Sequence, residues 1–342
     1  MYTIYDYLKL YKDKNLNEVP WNMMDYLLCS LIVYIPMGSF MGSKTFDEIC
    51  NLISSFKIPK HTEFISYKVK ELINIVKGST RYKKLRIKNF ENIVNESTQF
   101  GAMTCIIDNT KIIVFKGTDR SIIGWIENIR LMYEYPTFTQ ALAIRYLKNN
   151  IGLFDKDVHV IGHSKGGNMA MSSVMELDDF KFNKVKKVIN FDGPGFKKNE
   201  YESPKYMKMS EKLINIVPSN SYIGTLMFNK NYQSIKTSAH AINVHYPIYW
   251  NTDGTEFVYE KLSKLSEELH IRTTKNIQDV NEQIIKAYFE TAFSNIKKKG
   301  SHIGFNINEF IDIIKGMRKL DKSTYDYVNS FFKSLIKLSN KE

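Results

Sequence analysis

Short apolar runs alternate with helix-like segments through the middle of the chain, and this alternation limits the folds that the sequence can adopt. The strand-like run DVHVIGH is followed by the helix-like KGGNMAMSSVMEL, and the strand-like runs VKKVINFD and KLINIVP come after it. Buried strands that alternate with helices are typical of a parallel sheet covered on both faces. The sequence therefore predicts an α/β fold in which helices flank a mostly parallel central sheet.

Three strand-like runs precede this alternation, namely RIKNFENIV, TCIID and KIIVFKG. Asp108 and Asn109 stand between the last two, and such a pair is typical of a tight turn between neighbouring strands. Because a tight turn joins antiparallel strands, we expect antiparallel pairing only at the leading edge of the sheet.

Hydrophobic pattern alone sets the expected boundaries, since the sequence has no internal repeat and no Pro/Gly/Ser-rich linker. Apolar residues recur at helix spacing in Met23–Val33 and Phe64–Val76, so we expect residues 1–80 to form a helical N-terminal flank or cap. Residues 81–255 are the expected α/β core. Residues 256–342 are lysine-rich with helical periodicity, which predicts a helical C-terminal segment.

The charge balance limits the classes of partner. The 342 residues include 48 Lys and Arg against 36 Asp and Glu, a formal net charge of +12. Such a surface favours anionic partners, and peripheral contact with an anionic membrane surface is consistent with it. The sequence contains no recognised nucleic-acid-binding motif and its lysines are scattered along helices, so we do not expect nucleic acid to be a partner.

The three cysteines, Cys29, Cys50 and Cys105, lie in apolar contexts without the spacing of metal ligands. They predict reduced, buried thiols, and we expect neither a bound metal nor another cofactor. The first residues do not show the pattern of a secretory signal, so we expect a cytoplasmic protein. The uncharged stretch 26–42 is broken by proline and glycine, which favours a buried helix over a membrane span.

The stretch IGHSKGGNMA, residues 161–170, is the strongest candidate for chemistry. Ser164 stands between Gly162 and Gly166 in the pattern G-x-S-x-G, with a strand candidate before it and a helix candidate after it. This is the order of a nucleophile elbow, a strained turn that works only where flanking glycines present no side chains. Unpaired N–H groups at a helix start stabilise negative charge, so the Lys165 amide is a candidate oxyanion donor. A phosphate-binding turn is the weaker alternative, because neither nucleotide-binding glycine pattern is met.

Four motifs occur in a fixed order between about residues 85 and 252: FKGTD with GW and EN after it, GHSKGGN, FDGPGF, and H-x-P-x-x-W. Together they resemble the bacterial Mbeg1-like hydrolases, a branch of the α/β-hydrolase superfamily, and more broadly the class 3 lipases. The resemblance implies the α/β-hydrolase fold and a triad in the chain order serine, acid, histidine. It also implies that the backbone N–H of Thr118 is a second oxyanion donor.

The resemblance leaves two candidates for the acid and two for the base. Asp192 follows the strand after the elbow helix, whereas Asn220 stands in the next loop, where class 3 lipases carry the acid. We favour Asp192 because a carboxylate also stabilises the imidazolium ion. His245 fits H-x-P-x-x-W and is favoured over His240 in the same stretch. His163, beside the serine, is expected to pack beneath the turn.

These residues predict a serine hydrolase of esterase or lipase type, which cleaves carboxylic esters of acyl or lipid-like substrates through an acyl-enzyme. The alternative is a non-catalytic relative with the same fold that binds a ligand or a partner, because a fold does not fix an activity. Asn220 at the usual acid position keeps this alternative open.

Overall fold

A large central sheet organises the molecule. The computed structural model describes residues 2–57, 64–119, 121–275 and 282–298, together with residues 322 and 325. Within these ranges eight strands form one sheet in chain order: β1 (Phe40–Thr45), β2 (Arg86–Val94), β3 (Gln99–Ile107), β4 (Thr110–Phe115), β5 (Asp157–His163), β6 (Val185–Phe191), β7 (Leu213–Pro218) and β8 (Tyr232–Ile235). Strands β9 (Thr252–Asp253) and β10 (Glu256–Phe257) pair separately.

Helices surround the sheet and supply most of the connections in its parallel half. Their bounds are α1 (Ile4–Tyr11), α2 (Met23–Ile32), α3 (Phe46–Ser55), α4 (Phe64–Val76), α5 (Ile122–Arg130), α6 (Phe138–Asn150), α7 (Lys165–Met175), α8 (Asp179–Phe182), α9 (Lys198–Tyr201), α10 (Pro204–Ser210), α11 (Lys264–Lys275) and α12 (Glu282–Lys298). Two 3₁₀ helices, Ala241–His245 and Pro247–Tyr249, precede β9.

Strand direction changes at β4. Strands β1 to β4 pair antiparallel, and β4 to β8 pair parallel. The predicted turn between β3 and β4 is present, with Asp108 at φ 48°. The prediction of an α/β protein with a helix-flanked, mostly parallel sheet and an antiparallel leading edge is confirmed.

Alternate residues of the central strands feed two hydrophobic cores, one on each face of the sheet. Along β5 and β6, Ile161 and Ile189 join the N-terminal helices, whereas Val160 and Val188 join a second core with residues of α6 and α7. Successive side chains of a strand point to opposite faces, so both faces are covered. The expected buried helix in the stretch 26–42 is confirmed in part of that stretch, since α2 ends at Ile32. None of the helices in the described ranges combines the length and apolar character that crossing a membrane requires.

The N-terminal segment differs from the helical expectation at one place. Its residues Phe40–Thr45 form β1, which pairs antiparallel with β2, for example Ser43 with Lys88. This strand lies at the sheet edge with half-buried and exposed residues, so its stability comes from pairing and its sequence carries no strand periodicity. Of the predicted helical C-terminal segment, residues 276–281 and residues 299–342 apart from 322 and 325 lie outside the described residues.

Candidate active site

The candidate residues lie at the carboxyl ends of the neighbouring parallel strands β4, β5 and β6. Gly117 and Thr118 follow β4, Ser164 follows β5, and Asp192 follows β6. Neighbouring parallel strands end at the same edge, which is where open α/β sheets bind ligands. The sheet topology therefore brings together three chain segments that are far apart in the sequence.

Ser164 occupies a strained turn between β5 and α7. Its backbone lies at φ 60° and ψ −133°, outside the regions that residues with a side chain ordinarily adopt. Such a conformation costs of order 1–3 kcal/mol and persists only where neighbouring structure holds it. Here the Ser164 N–H donates to Phe191 O (2.9 Å), and the Ser164 carbonyl accepts from the Gly167 N–H (2.9 Å). The bonds on both sides fix the turn against β6 and the first turn of α7.

The glycines of the turn allow the strand and the helix to approach closely. A Cβ atom on Gly162 would overlap the Gly166 backbone, and one on Gly166 would overlap the carbonyl of Phe115. Both obstacles are main-chain atoms, which cannot swing aside as a flexible side chain does. The reason for the two glycines is therefore steric, as the G-x-S-x-G pattern indicated.

We expect Gly162→Ala to lower the free energy of unfolding by about 1–3 kcal/mol, because the added methyl group forces β5 and α7 apart. Gly38→Ala is the matched control, since a Cβ atom on Gly38 would meet no atom within 4 Å. The control should change stability by less than about 0.5 kcal/mol. Urea unfolding of both variants measures the difference, and equal midpoints would contradict the close approach.

Asp192 and His245 form a hydrogen-bonded pair. His245 Nδ1 donates to Asp192 Oδ2 (2.6 Å), while Asp192 Oδ1 accepts from Ser221 Oγ (2.5 Å) and from the Gly224 N–H (3.0 Å). Asp192 is fully buried. Burial raises the pKa of Asp192 above its ordinary value, and its three donors act in the opposite direction. Hydrogen bonds to both of its oxygens thus fix the orientation of the carboxylate.

His245 ends the 3₁₀ helix Ala241–His245 and is half-buried. Because its Nδ1–H donates to a carboxylate, the other nitrogen of the neutral ring, Nε2, is the basic one. The centroids of the His245 and His163 rings are 4.6 Å apart, so the His245 ring lies beside the serine turn. Ser164 Oγ and His245 Nε2 are not hydrogen-bonded in this structure. Such a bond is often long without substrate and tightens when substrate binds.

His163 packs beneath the turn, as expected, and supports the loop that carries His245. Its Nε2 donates to the His245 carbonyl (2.9 Å), since a carbonyl can only accept, and its Nδ1 accepts from the Tyr34 hydroxyl (2.8 Å). Burial and, to a smaller extent, the neighbouring His245 lower the pKa of His163 well below its ordinary value. The ring is therefore a neutral linker between the N-terminal segment and the His245 backbone.

The loop after β4 runs directly beside Ser164. A Cβ atom on Gly117 would lie 3.0 Å from Ser164 Cβ. Within the described part of the chain, neither the Thr118 amide nor the Lys165 amide donates to a protein acceptor. The Thr118 hydroxyl is engaged, because it donates to Asn128 Oδ1 (2.9 Å). One main-chain donor directly after Gly117 and another directly after Ser164 are therefore without a protein acceptor among the described residues.

The alternative candidates do not join this group. Asn220 is half-buried and makes no hydrogen bond to His245, although its neighbour Ser221 binds Asp192. His240 is exposed and makes no hydrogen bond to Asp192. Across the described ranges, no cluster of three or more His, Cys, Asp or Glu side chains could hold a metal ion.

Fold and site together define the chain as an α/β protein in which a strained serine turn lies beside a hydrogen-bonded pair of a buried aspartate and a half-buried histidine. It belongs to the Mbeg1-like family, whose sequence profile matches residues 76–294. The resemblance predicted from the four motifs is thereby confirmed. Among solved structures the chain is similar to the native propeptide complex of Rhizomucor miehei lipase, at 13% identity and a TM-score of 0.29, over 51% of this chain and 70% of that one. No curated protein gives a significant match.

Proposed function

We propose that the chain is a serine hydrolase with the α/β-hydrolase fold, and that it cleaves carboxylic esters of acyl or lipid-like substrates. The observation that carries the proposal is the hydrogen-bonded Asp192–His245 pair beside the strained turn of Ser164. A nucleophile, a base held in one tautomer and a buried acid are the three parts that activate a serine. Membership of the Mbeg1-like family supports the same class.

In the proposed reaction His245 Nε2 takes the proton of Ser164 as Oγ attacks the ester carbonyl. The tetrahedral oxyanion accepts hydrogen bonds from the Thr118 and Lys165 amides. The C–O bond to the alcohol then breaks, and His245 returns its proton to the departing oxygen. Water, deprotonated by His245, attacks the acyl-enzyme and releases the carboxylic acid together with free Ser164.

Asp192 has the surroundings that this mechanism needs. It binds His245 Nδ1 and so leaves Nε2 as the only ring nitrogen that can accept the serine proton. Ser221 and Gly224 hold its other oxygen, so the carboxylate keeps its direction when the imidazolium ion forms. The negative charge then lies next to the new positive charge in a site of low dielectric constant, where the attraction is strong.

Labelling with a fluorophosphonate tests the proposal, since this reagent modifies activated serines. We expect one adduct on the wild-type protein, located at Ser164 by mass analysis of peptides. His245→Ala should abolish the adduct, because the serine loses its base. His240→Ala is the matched control and should be labelled at the wild-type rate.

Two outcomes would contradict the assignment. A folded wild-type protein without an adduct would overturn the hydrolase and favour the non-catalytic binding protein. Labelling that survives His245→Ala but is lost in His240→Ala would transfer the role of base to His240.

A further inference from the structure

Gln99, the first residue of β3, connects the loop beside Ser164 to the helix that follows Ser164. Its Nε2 donates to the Gly117 carbonyl (3.1 Å), and its Oε1 accepts from Lys165 Nζ (2.7 Å). Lys165 Nζ also donates to the Gln99 main-chain carbonyl (3.1 Å). Gln99 and Lys165 are almost wholly buried. Both the Nε2 and the Oε1 atoms of the Gln99 amide are therefore hydrogen-bonded within the protein interior.

The hydrogen bond to the Gly117 carbonyl also constrains the N–H of the next residue, Thr118. The Gly117 carbonyl and the Thr118 N–H belong to the same planar, trans peptide group, so they point in opposite directions. A hydrogen bond that fixes the carbonyl therefore fixes the direction of the Thr118 N–H. Gly117 has no side chain to hold this peptide, and a Cβ atom there would come within 2.6 Å of the His163 carbonyl.

We propose that Gln99 and the side chain of Lys165 are positioning residues that orient the Thr118 amide toward the oxyanion. The inference rests on the proposed hydrolase function. Hydrogen bonds in a chain polarise one another, so the Lys165 ammonium strengthens donation by Gln99 Nε2. That bond in turn polarises the Gly117–Thr118 peptide and makes its N–H a better donor. Lys165 thus acts twice, through its amide and through its side chain.

The charge of Lys165 is sensitive to pH. Burial lowers the pKa of Lys165 to about 8, with Lys116 acting in the same direction and Glu127 and Asp119 acting against it. The ammonium form is present below that pH and is lost as the pH rises through it. We therefore expect the contribution of the ammonium charge to fade above about pH 8.

The test measures fluorophosphonate inactivation, which separates the maximal rate kinact from the half-saturating concentration KI. Gln99→Met removes both hydrogen bonds of the side chain at similar size. Gln99→Glu keeps an acceptor for Lys165 but cannot donate to the Gly117 carbonyl. We expect kinact to fall by about 100-fold in both variants with KI nearly unchanged, because a small misplacement of a catalytic donor has an effect of this size.

Gln140→Glu is the matched control. Gln140 is also buried, and its Nε2 donates to Asn168 Oδ1 (2.7 Å), away from Gly117. This variant should keep the wild-type kinact and the wild-type dependence on pH. Wild-type kinact should decline above about pH 8, whereas Gln99→Met should lack this decline.

The outcomes separate the inference from the proposed function. Gln99 variants that retain wild-type kinact, in a protein labelled at Ser164, would overturn the positioning role and leave the hydrolase standing. If kinact fell only in variants whose melting temperature also fell, or if KI rose instead, Gln99 would have a merely structural role. Either result would overturn the inference too. A wild-type protein that takes no label would overturn both.

Discussion

Ser164→Ala is expected to lower kcat for hydrolysis of p-nitrophenyl butyrate by on the order of 10⁶-fold, the size of effect seen when a nucleophile of this kind is removed. Without Oγ no acyl-enzyme can form, and the two amide donors can assist only direct attack by water. The fold should persist, since alanine has the same backbone constraints as serine in the strained turn. Far-ultraviolet circular dichroism and thermal unfolding check that point.

Ser173→Ala is the matched control for this first prediction. Ser173 is a buried serine of α7, the helix that follows Ser164, and its hydroxyl donates to the Ala170 carbonyl (3.0 Å) within that helix. The control should keep wild-type kcat. If purified Ser164→Ala hydrolysed the ester at the wild-type rate, Ser164 could not be the nucleophile.

Asp192→Asn is expected to lower kcat by about 10⁴-fold. The asparagine Oδ1 can still accept from Ser221 and Gly224, so the loop should keep its shape. Its Nδ2–H₂ group, however, would face His245 and favour the tautomer with the proton on Nε2. That nitrogen could then no longer accept the serine proton, and the imidazolium ion would lose its carboxylate.

The double variant Asp192→Asn with Asn220→Asp provides the decisive comparison. It moves the carboxylate to the position that class 3 lipases use. Because Asn220 makes no hydrogen bond to His245, we expect the added carboxylate to restore no activity. Recovery of kcat in the double variant would show that the loop of Asn220 can supply the acid.

The fold could be predicted where the sequence carries a strong hydrophobic period. Strand β5 has the bounds of the run DVHVIGH, and β6 ends one residue before the end of the run VKKVINFD. The sequence pattern does not predict strands β1 and β8, because FMGSKT and YQSI are short and partly exposed. A strand of that kind is selected by the partner it pairs with, and its own sequence shows little periodicity.

The candidate site residues were also predicted from signals of different kinds. Ser164 and Lys165 follow from local spacing, while Thr118, Asp192 and His245 follow from family motifs. The sequence favoured Asp192 over Asn220 on chemical grounds alone, because both residues follow parallel strands and the geometric difference between them depends on loop shape.

The supporting residues had no sequence signal at all. Ser221 reaches Asp192 across 29 positions, Tyr34 reaches His163 across 129, and Gln99 reaches Gly117 across 18. Only the folded chain brings such pairs together, and no fixed spacing predicts them.

The positive φ of Ser164 creates a conflict at one position, because the residue that would be most stable there has no hydroxyl group. Glycine adopts φ 60° without steric cost, so it relieves strain of order 1–3 kcal/mol, which exceeds the loss of about 0.5–1 kcal/mol that its flexible unfolded chain causes. A laboratory evolution experiment that rewards only heat resistance or expression yield would therefore drift toward glycine at residue 164. Variants selected for stability therefore have to be screened for turnover in the same round, because Ser164, the proposed nucleophile, would be among the first residues replaced.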